Sequence, residues 1–467
     1  MAVEGDGCVA LLDGLASPED SSSLLEDLLM SMSRINRRTA LKVCGSALAF
    51  PFDSRGYAKS PNETLNHASF GASGMALADI RSLTASPHLR LVAIADVDLN
   101  RTGEVKKLFP EVRVYQDYRE LLAKEQDLDS VNVSTPDHMH GPITMQAMQQ
   151  GLHVYTQKPL TQTIYEARQL SQVAAAKGIV SQMGIQIHSH PVHKSVVATI
   201  HDGAIGKVTE VHSWSGKQWG DRSPRPDRID PVPDGLDWNG WLGVASERPY
   251  IAGWYHPGNW RKRLDFGTGT FGDMGCHILD PVFAALELTA PIEVRSEGGA
   301  PNAHSWGLDS VVRYNFPATP QTAETLSLTW YDGDRRPPRE VTNLIGSRPL
   351  SDQGSIYIGT KGVLYSPYIA PPVLLPAEDF ADYERPAPDG DNHYLQFVEA
   401  CRGNGTTSTP FSYAGPLTEM VLLGCLATRF PATTLTWDAL GLRVTNVQDA
   451  NRFVRRNYRD EYQTVGL

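Results

Sequence analysis

Three side chains in two distant segments have the types and spacing needed to move a proton. Lys158 lies in the run LHVYTQKPL, between Gln157, which offers it no carboxylate, and Pro159, which restricts the backbone. Asp273 and His277 are four residues apart in GTGTFGDMGCHILD, so a helix would place both on one face. An imidazole titrates near neutral pH and can take a proton from a hydroxyl group, with Lys158 on the same oxygen. We therefore predict that Lys158, Asp273 and His277 are catalytic; the alternative is a solvated lysine and a structural histidine.

A turn of small residues follows the first apolar run. Leu65 to Phe70 lead into GASGMA, the helix-like MALADIRSL and a second apolar run at 89–95, which predicts a βαβ unit. The turn keeps the first glycine of the GxGxxG pattern and has alanine at the third position, but Ser73 replaces the second glycine. Such a turn binds the phosphates of a dinucleotide through its backbone. The predicted cofactor contacts here are Gly71, Ser73, Gly74 and Met75.

An acid ends the second predicted strand. Asp96 stands where a carboxylate accepts hydrogen bonds from the adenosine ribose and repels a 2′-phosphate, which favours NAD over NADP. The alternative is that Asp96 and Asp98 only shape the turn, and Arg101 nearby keeps NADP possible. We expect NAD as the cofactor, with NADP as the second choice.

Strand candidates continue at 112–115, 130–134, 153–156 and 180–185, with helical stretches between them. This alternation predicts a parallel, doubly wound α/β sheet, a Rossmann domain over residues 62–185. Ligands bind beyond the carboxyl ends of such strands, where STPDHMH and the lysine segment both fall. Further predicted cofactor contacts are Thr135, Pro136, His138, His140, Gln157 and Lys158.

The segments STPDHMH, VYTQKPL and GTGTFGDMGCHILD together resemble the Gfo/Idh/MocA oxidoreductase family, over roughly residues 65 to 460. The family's Lys-Pro motif, usually preceded by glutamate, falls on Lys158 with Gln157 before it, and its Asp-x-x-x-His pair falls on Asp273 and His277. The resemblance implies a second α/β domain at 186–467 with a large open, mainly antiparallel sheet. It also implies a homodimer or homotetramer and a sugar or cyclitol substrate.

Tryptophans concentrate at the start of this second region, between positions 214 and 260. Most are expected in the core, but aromatic faces beside polar groups also stack on sugar rings. The predicted substrate contacts are Gln186, His188, Trp260, Arg261 and His393.

Imidazoles at short spacing can chelate a metal. However, His188, His190 and His193 have no nearby cysteine or acid in the sequence, so we predict no metal site.

The amino-terminal segment carries an export pattern. At 32–58, the basic stretch NRRTALK precedes a short run of small apolar residues and then GYA, which is typical of a twin-arginine signal peptide. An ordinary basic helix is the alternative. Residues 1–31 are acidic and serine-rich, which is atypical before such a signal, so we expect translation to start at Met32 or this segment to be disordered. The expected location is the periplasm or another extracytoplasmic space.

Composition narrows the class of protein. The formal charge of −11 and the pI near 5.7 argue against a nucleic-acid partner, and the amino-terminal apolar run is too short for membrane insertion.

Outside the cytoplasm a released nicotinamide would find no soluble pool, so the cofactor should be tightly held. The leading hypothesis is hydride transfer between a sugar or cyclitol hydroxyl and bound NAD(P). The alternatives are a redox-neutral glycosidase or lyase with a transient keto-sugar, and a non-catalytic sugar-binding relative.

Overall fold

A computed structural model describes residues 64–467, beginning just before the strand that leads into the glycine turn. The predicted export signal at 32–58 and the segment 1–31 lie outside these residues. Two β-sheets with helices packed against them make up the described chain. No helix within this range is long and apolar enough to cross a membrane.

The first sheet has six strands in the order β3-β2-β1-β4-β5-β6, and every neighbouring pair is parallel. Helices cover the sheet, so β1 and β4 are buried almost throughout. The strand order reverses between β1 and β4, which opens a crevice at their carboxyl ends. The strands are β1 (Leu65–Phe70), β2 (Leu89–Ala95), β3 (Arg113–Tyr115), β4 (Ser130–Val133), β5 (His153–Gln157) and β6 (Ser181–Gly184).

The helices of this half have recognisable ends. In α5, Thr163 and Glu166 form a reciprocal capping box at the start, and Gly178 ends the helix at φ 64°. In α1, the buried face consists of Ala76, Asp79, Ile80 and Leu83. The helices are α1 (Met75–Leu83), α2 (Gly103–Leu108), α3 (Tyr118–Lys124), α4 (His140–Gln149) and α5 (Ile164–Lys177).

The second sheet has nine strands in the order β13-β12-β11-β7-β10-β9-β8-β14-β15. Of its neighbouring pairs, β7 and β10 are parallel and the others are antiparallel, so the predicted α/β fold with a mainly antiparallel second sheet is confirmed. The strands are β7 (Val208–Ser215), β8 (Glu293–Glu297), β9 (Val311–Pro317), β10 (Thr322–Asp332), β11 (Gln353–Gly359), β12 (Val363–Pro367), β13 (Val373–Leu375), β14 (Thr434–Asp438) and β15 (Arg443–Val444).

One almost completely buried helix, α12, links the two halves. It packs against α5 of the first half and against α8 and β8 of the second, so its apolar residues face core on nearly all sides. The helices of the second half are α6 (Pro191–His201), α7 (Trp238–Leu242), α8 (Gly269–Ile278), α9 (Asp280–Ala285), α10 (Arg339–Thr342), α11 (His393–Cys401) and α12 (Phe411–Ala427).

The last residues of the chain return to the first half. Arg119 of α3 donates a hydrogen bond to the carbonyl of Glu461 (3.0 Å), and its guanidinium lies 4.6 Å from the ring centroid of Tyr462. Arg459 donates to the carbonyl of Gly243, just after α7 (2.8 Å). The carboxyl-terminal segment is therefore packed beside the crevice of the parallel sheet.

Candidate active site

One continuous cavity of about 320 Å³ runs from the glycine turn to the lysine segment. It is bounded by the carboxyl ends of the parallel strands on one side and by the region around α7 and α8 on the other. Of the residues predicted from the sequence, those that line it are Gly71, Ser73, Gly74, Met75, Asp96, Thr135, Pro136, His140, Gln157, Lys158, Trp260, Arg261 and Asp273.

The glycine turn fits a dinucleotide. Gly71 has φ 102°, and a Cβ there would lie 2.8 Å from the carbonyl oxygen of Ser134, so no larger residue fits. Gly74, at φ 59°, is the N-cap of α1 and has open space around it. Ser73 accepts a hydrogen bond from Nε of Arg101 (2.8 Å). The turn therefore presents backbone and a free helix terminus to the cavity, as phosphate binding requires.

Asp96 fits the ribose of the same ligand. Its Oδ2 accepts from the backbone N–H of Ala72 (2.9 Å) and its Oδ1 from that of Asp98 (3.0 Å). Burial raises its pKa, while these two bonds oppose the rise. The carboxylate thereby ties the turn to the end of β2 and keeps lone pairs for hydroxyl groups in the cavity.

Lys158 and Asp273 meet inside the cavity. Nζ of Lys158 donates to Oδ1 of Asp273 (2.8 Å) and to its backbone carbonyl (3.0 Å), and Nε of Arg261 lies 3.4 Å from the same Oδ1. Burial opposes ionisation of Asp273, but the two cations outweigh it and lower its pKa to about 2. An ionised carboxylate thus holds the lysine at the junction of the two halves.

His277 lies one turn further along α8, outside the cavity lining. Burial, followed by the Lys158 cation, lowers its pKa to about 3, and its Nδ1 has no hydrogen-bond partner. This environment disfavours the protonated imidazole, and the catalytic role of His277 stays a prediction. His277 is neutral at pH 7, with one ring nitrogen available.

Comparison with known proteins identifies the family. Residues 65–185 match the family described as "Oxidoreductase family, NAD-binding Rossmann fold", and residues 187–319 match its C-terminal alpha/beta domain. The two matches together cover more than half of the 467 residues. The chain belongs to the Gfo/Idh/MocA oxidoreductase family.

Several relatives are named for their activities. Levoglucosan dehydrogenase of Pseudarthrobacter phenanthrenivorans is 24% identical over 196 residues, 42% of this chain and 42% of that protein. The scyllo-inositol 2-dehydrogenase (NADP(+)) of Bacillus subtilis is 23% identical over 233 residues, 50% of each chain. The chain thus spans about half or less of the length of these relatives. A solved inositol dehydrogenase homolog from Azotobacter vinelandii, complexed with NADH and myo-inositol, has a TM-score of 0.54 at 17% identity, covering 81% of this chain and 100% of that one. This likeness shows the shared fold.

Gln157, which stands where the Gfo/Idh/MocA motif usually has an acid, contacts an acid from another element. Nε2 of Gln157 donates to both carboxylate oxygens of Asp79 in α1 (3.0 Å each), which also accept from Ser134 (2.7 Å) and Tyr394 (2.9 Å). Burial raises the pKa of Asp79 to about 6 against these hydrogen bonds. The sequence reasoning missed Asp79, although a carboxylate on the apolar face of a predicted helix was a usable signal.

A second missed acid lines the cavity. Asp137 is buried, accepts a hydrogen bond from Thr268 (2.7 Å), and has its pKa raised by burial to about 7, with Arg261 and Lys158 opposing the rise. The sequence placed Asp137 in the correct loop but did not assign it a role. Its pKa lies near the value that suits proton exchange at neutral pH.

Two loop histidines have different surroundings. His140 lines the cavity and lies 2.8 Å from the carbonyl oxygens of both Thr135 and Pro159, so it joins the two loops that were predicted to face each other. His138 does not line the cavity. It is buried, within 3.1 Å of the carbonyl of Trp241 and edge-on to Phe266 at 5.0 Å, because its ring fills the aromatic cluster under the loop.

Three predicted substrate contacts lie outside the cavity lining. Nε2 of Gln186 donates to the Tyr394 hydroxyl (2.9 Å). His188 hydrogen-bonds the carboxylate of Asp280 (3.0 Å). His393 is buried, with Nδ1 on Ser189 (2.9 Å) and Nε2 on the carbonyl of Met183 (3.0 Å). Protein groups engage both ring nitrogens of His393, and its predicted contact with substrate stays a prediction.

Proposed function

We propose that this protein transfers a hydride between a hydroxyl-bearing carbon of a sugar or cyclitol and a tightly held NAD. The observation that carries the proposal is the single cavity with the glycine turn and Asp96 at one end and the Lys158–Asp273 pair at the other. When bound, NAD supplies the hydride acceptor. Asp96 favours NAD over NADP because a carboxylate repels a 2′-phosphate.

Lys158 holds the reacting oxygen in this proposal. Its ammonium is fixed by Asp273 and can donate a further hydrogen bond to a substrate hydroxyl, which stabilises negative charge as the proton leaves. His277 is neutral and has a free nitrogen, but a pKa of about 3 makes it a weak proton acceptor. Asp137 also lines the cavity, and burial raises its pKa to about 7, which makes it a second candidate acceptor.

Trp260 and Arg261 support the substrate class. Both line the cavity, and the Arg261 guanidinium lies 4.2 Å from the Trp260 ring centroid. An aromatic ring beside a hydrogen-bond donor suits a sugar or cyclitol. The names of the relatives, levoglucosan dehydrogenase and scyllo-inositol 2-dehydrogenase, agree with this class.

The first test is cofactor content. The protein is purified without added nucleotide, denatured, and analysed by mass spectrometry for NAD, NADP and their reduced forms. We expect close to one NAD or NADH per chain. Protein without nicotinamide would count against tight binding and against this proposal.

The second test is turnover of Lys158→Met with a panel of sugars and cyclitols. The change should lower kcat by about 100- to 10,000-fold, far more than it lowers the nicotinamide content, because the lysine acts on the substrate oxygen. Lys158→Arg keeps the ion pair with Asp273 and serves as the matched variant. Equal turnover of Lys158→Met and the wild type would contradict the assigned role.

Product analysis separates the competing functions. A keto-sugar product supports the oxidoreductase. Release of free sugar from an aryl glycoside without net cofactor change would assign the redox-neutral glycosidase or lyase instead. Ligand binding with no turnover, unaltered in Lys158→Met, would assign the non-catalytic relative.

We also propose that residues 32–58 direct export and that the chain forms a homodimer or homotetramer. Export of an already folded protein agrees with a tightly held cofactor. Changing Arg37 and Arg38 to lysine should retain the protein in the cytoplasm, as cell fractionation can measure. Light scattering of the purified protein gives the oligomer mass, and a monomer would refute the second part.

A further inference from the structure

Two histidines and an aspartate from separate parts of the chain meet outside the cavity lining. His188 lies in the 3₁₀ turn Gln186–Ser189, His193 in the first turn of α6, and Asp280 begins α9. Nδ1 of His188 is 3.0 Å from Oδ1 of Asp280, and Nδ1 of His193 is 3.1 Å from Oδ2. The three ligand atoms lie within 4.8 Å of one another. The acid that the histidines lack in the sequence is thus supplied by the fold.

Hydrogen bonding satisfies only part of this cluster. Asp280 is fully buried and accepts from the Tyr413 hydroxyl (2.6 Å) as well as from His188. Nδ1 of His193, also buried, has no hydrogen-bond partner although it faces the carboxylate. A buried polar atom without a partner indicates a bound water or ion. A cation between the three groups would take a lone pair from each of them.

The charge of Asp280 acts on two further buried groups that have an atom without a hydrogen-bond partner. These atoms are Nδ1 of His277 in α8 and the hydroxyl of Tyr357 in β11, both buried. Burial and then the Asp280 charge raise the pKa of the Tyr357 hydroxyl, and the same charge acts on His277. The cluster therefore adjoins the helix that carries the predicted catalytic pair.

We propose that His188, His193 and Asp280 bind a divalent cation of the zinc type and leave a coordination position for water. His188 contacts Oδ1 of Asp280 at 3.0 Å and His193 lies 3.1 Å from Oδ2, so the carboxylate lies between the two imidazoles. Tetrahedral zinc separates its N and O ligand atoms by about 3.3–3.5 Å, so small side-chain movements would form the site from three atoms that lie within 4.8 Å of one another. Two histidines, one carboxylate and an open position form a ligand set of catalytic zinc. Tyr413 orients the carboxylate, as outer hydrogen-bond partners of metal ligands do.

An ion can reach this site. The His188 side chain is 18% exposed, whereas those of His193 and Asp280 are almost completely buried. A cation bound here, outside the cavity lining, would polarise a water molecule in its open position. Metal binding at this site does not depend on hydride transfer. The proposed metal site and the proposed function can therefore be refuted independently of each other.

The test measures metal binding without substrate. The full chain, without a polyhistidine tag, is treated with a chelator, exchanged into metal-free buffer and titrated with ZnCl2 against a chromophoric competitor. We expect one tightly bound Zn²⁺ per chain, and absorption bands of tetrahedral Co²⁺ when CoCl2 replaces zinc. His188→Gln and His193→Gln should each weaken binding by at least about 100-fold.

His190→Gln is the matched control, because His190 lies between the two ligands but is exposed and caps α6. It should bind zinc like the wild type. Circular dichroism and bound nicotinamide report folding, and His188→Gln tests the site if the buried His193 variant does not fold. No tight zinc in the wild type, or unchanged affinity in His188→Gln, would overturn the proposal.

Discussion

At the residue scale, Gln157 contacts a carboxylate from a distant part of the sequence. Its amide carries no charge, but it donates to Asp79, which also accepts from Ser134 and Tyr394. A carboxyl group of α1 therefore lies beside the lysine segment. These hydrogen bonds couple the first helix after the glycine turn to the strand that ends at Gln157.

The raised pKa of Asp79 predicts a pH-dependent stability. The folded chain keeps the Asp79 proton up to about pH 6, whereas the unfolded chain loses it near 3.8, so this contribution to stability is lost as the pH rises between these values. The free energy of unfolding of the wild type minus that of Asp79→Asn should fall by up to about 3 kcal/mol across this window. Urea denaturation at a series of pH values measures it.

A matched variant sharpens this test. Tyr394→Phe removes a hydroxyl that lowers the pKa of Asp79, so the loss of stability should extend to higher pH. A flat difference between the wild type and Asp79→Asn from pH 4 to 7 would show that Asp79 is ionised throughout.

Asp96 predicts the choice between the two nicotinamide cofactors. Asp96→Asn should shift the ratio of NADP to NAD affinity by about tenfold toward NADP, because removing a like charge near a phosphate in a partly solvated site is worth on the order of 1–2 kcal/mol. Fluorescence titration of cofactor-free protein gives both dissociation constants. Asp98→Asn is the control, since Asp98 does not line the cavity itself and pairs with His256 (2.8 Å) instead of facing the ligand. A ratio that moves equally in both variants would refute the role of Asp96.

At the element scale, α8 holds Asp273 and His277 in place through close packing. A Cβ at Gly275 would lie 2.8 Å from the Phe271 ring and 3.1 Å from Val421 of α12. The helix therefore sits directly on the buried helix that links the two halves. The absence of a side chain at Gly275 permits this close packing. It thereby determines the position of α8 and of the ion pair between Asp273 and Lys158.

Gly275→Ala should accordingly destabilise the fold by about 1–3 kcal/mol, because the core cannot accept another methyl group there. Gly103→Ala is the control: this glycine begins α2 with open space around it and should change stability by less than about 1 kcal/mol. Chemical denaturation measures both. Equal effects at the two sites would show that α8 has room to shift.

The elements show which parts of the fold could be predicted. The six parallel strands and their helices follow from local runs of apolar residues, and the strands occur within about two residues of the predicted positions. The strand order of the nine-stranded sheet could not be predicted from the sequence. β7 pairs with β10 and β11, which lie more than 100 residues later in the chain. The same limit applies to the site. Lys158 and Asp273 were predictable from their motifs, whereas Asp79, Asp137 and Asp280 acquire their surroundings only through tertiary packing.

At the scale of the whole molecule, the cavity is built from both halves and from the carboxyl-terminal segment. Tyr462 lines the cavity and stacks on Arg119 of α3. The far end of the chain thus helps to enclose the ligand that the glycine turn begins to bind. This arrangement accords with the proposal that the cofactor is tightly held.

Tyr462→Ala should therefore weaken NAD binding by about tenfold, because it removes an aromatic wall of the cavity. Calorimetry on cofactor-free protein measures the dissociation constant. Tyr462→Phe keeps the ring and should bind NAD like the wild type. An unchanged affinity in Tyr462→Ala would show that the segment packs beside the cavity without contributing to binding.

The position of Tyr462 near the end of the sequence also determines when the cavity is completed during synthesis. About 390 residues separate Gly71 from Tyr462. At synthesis rates of about 5–20 residues per second, the glycine turn emerges from the ribosome some 20 to 80 seconds before the residue that faces it across the cavity. During that interval a nascent chain can offer nucleotide only a half-built pocket, so firm capture of the nucleotide has to follow translation of Tyr462.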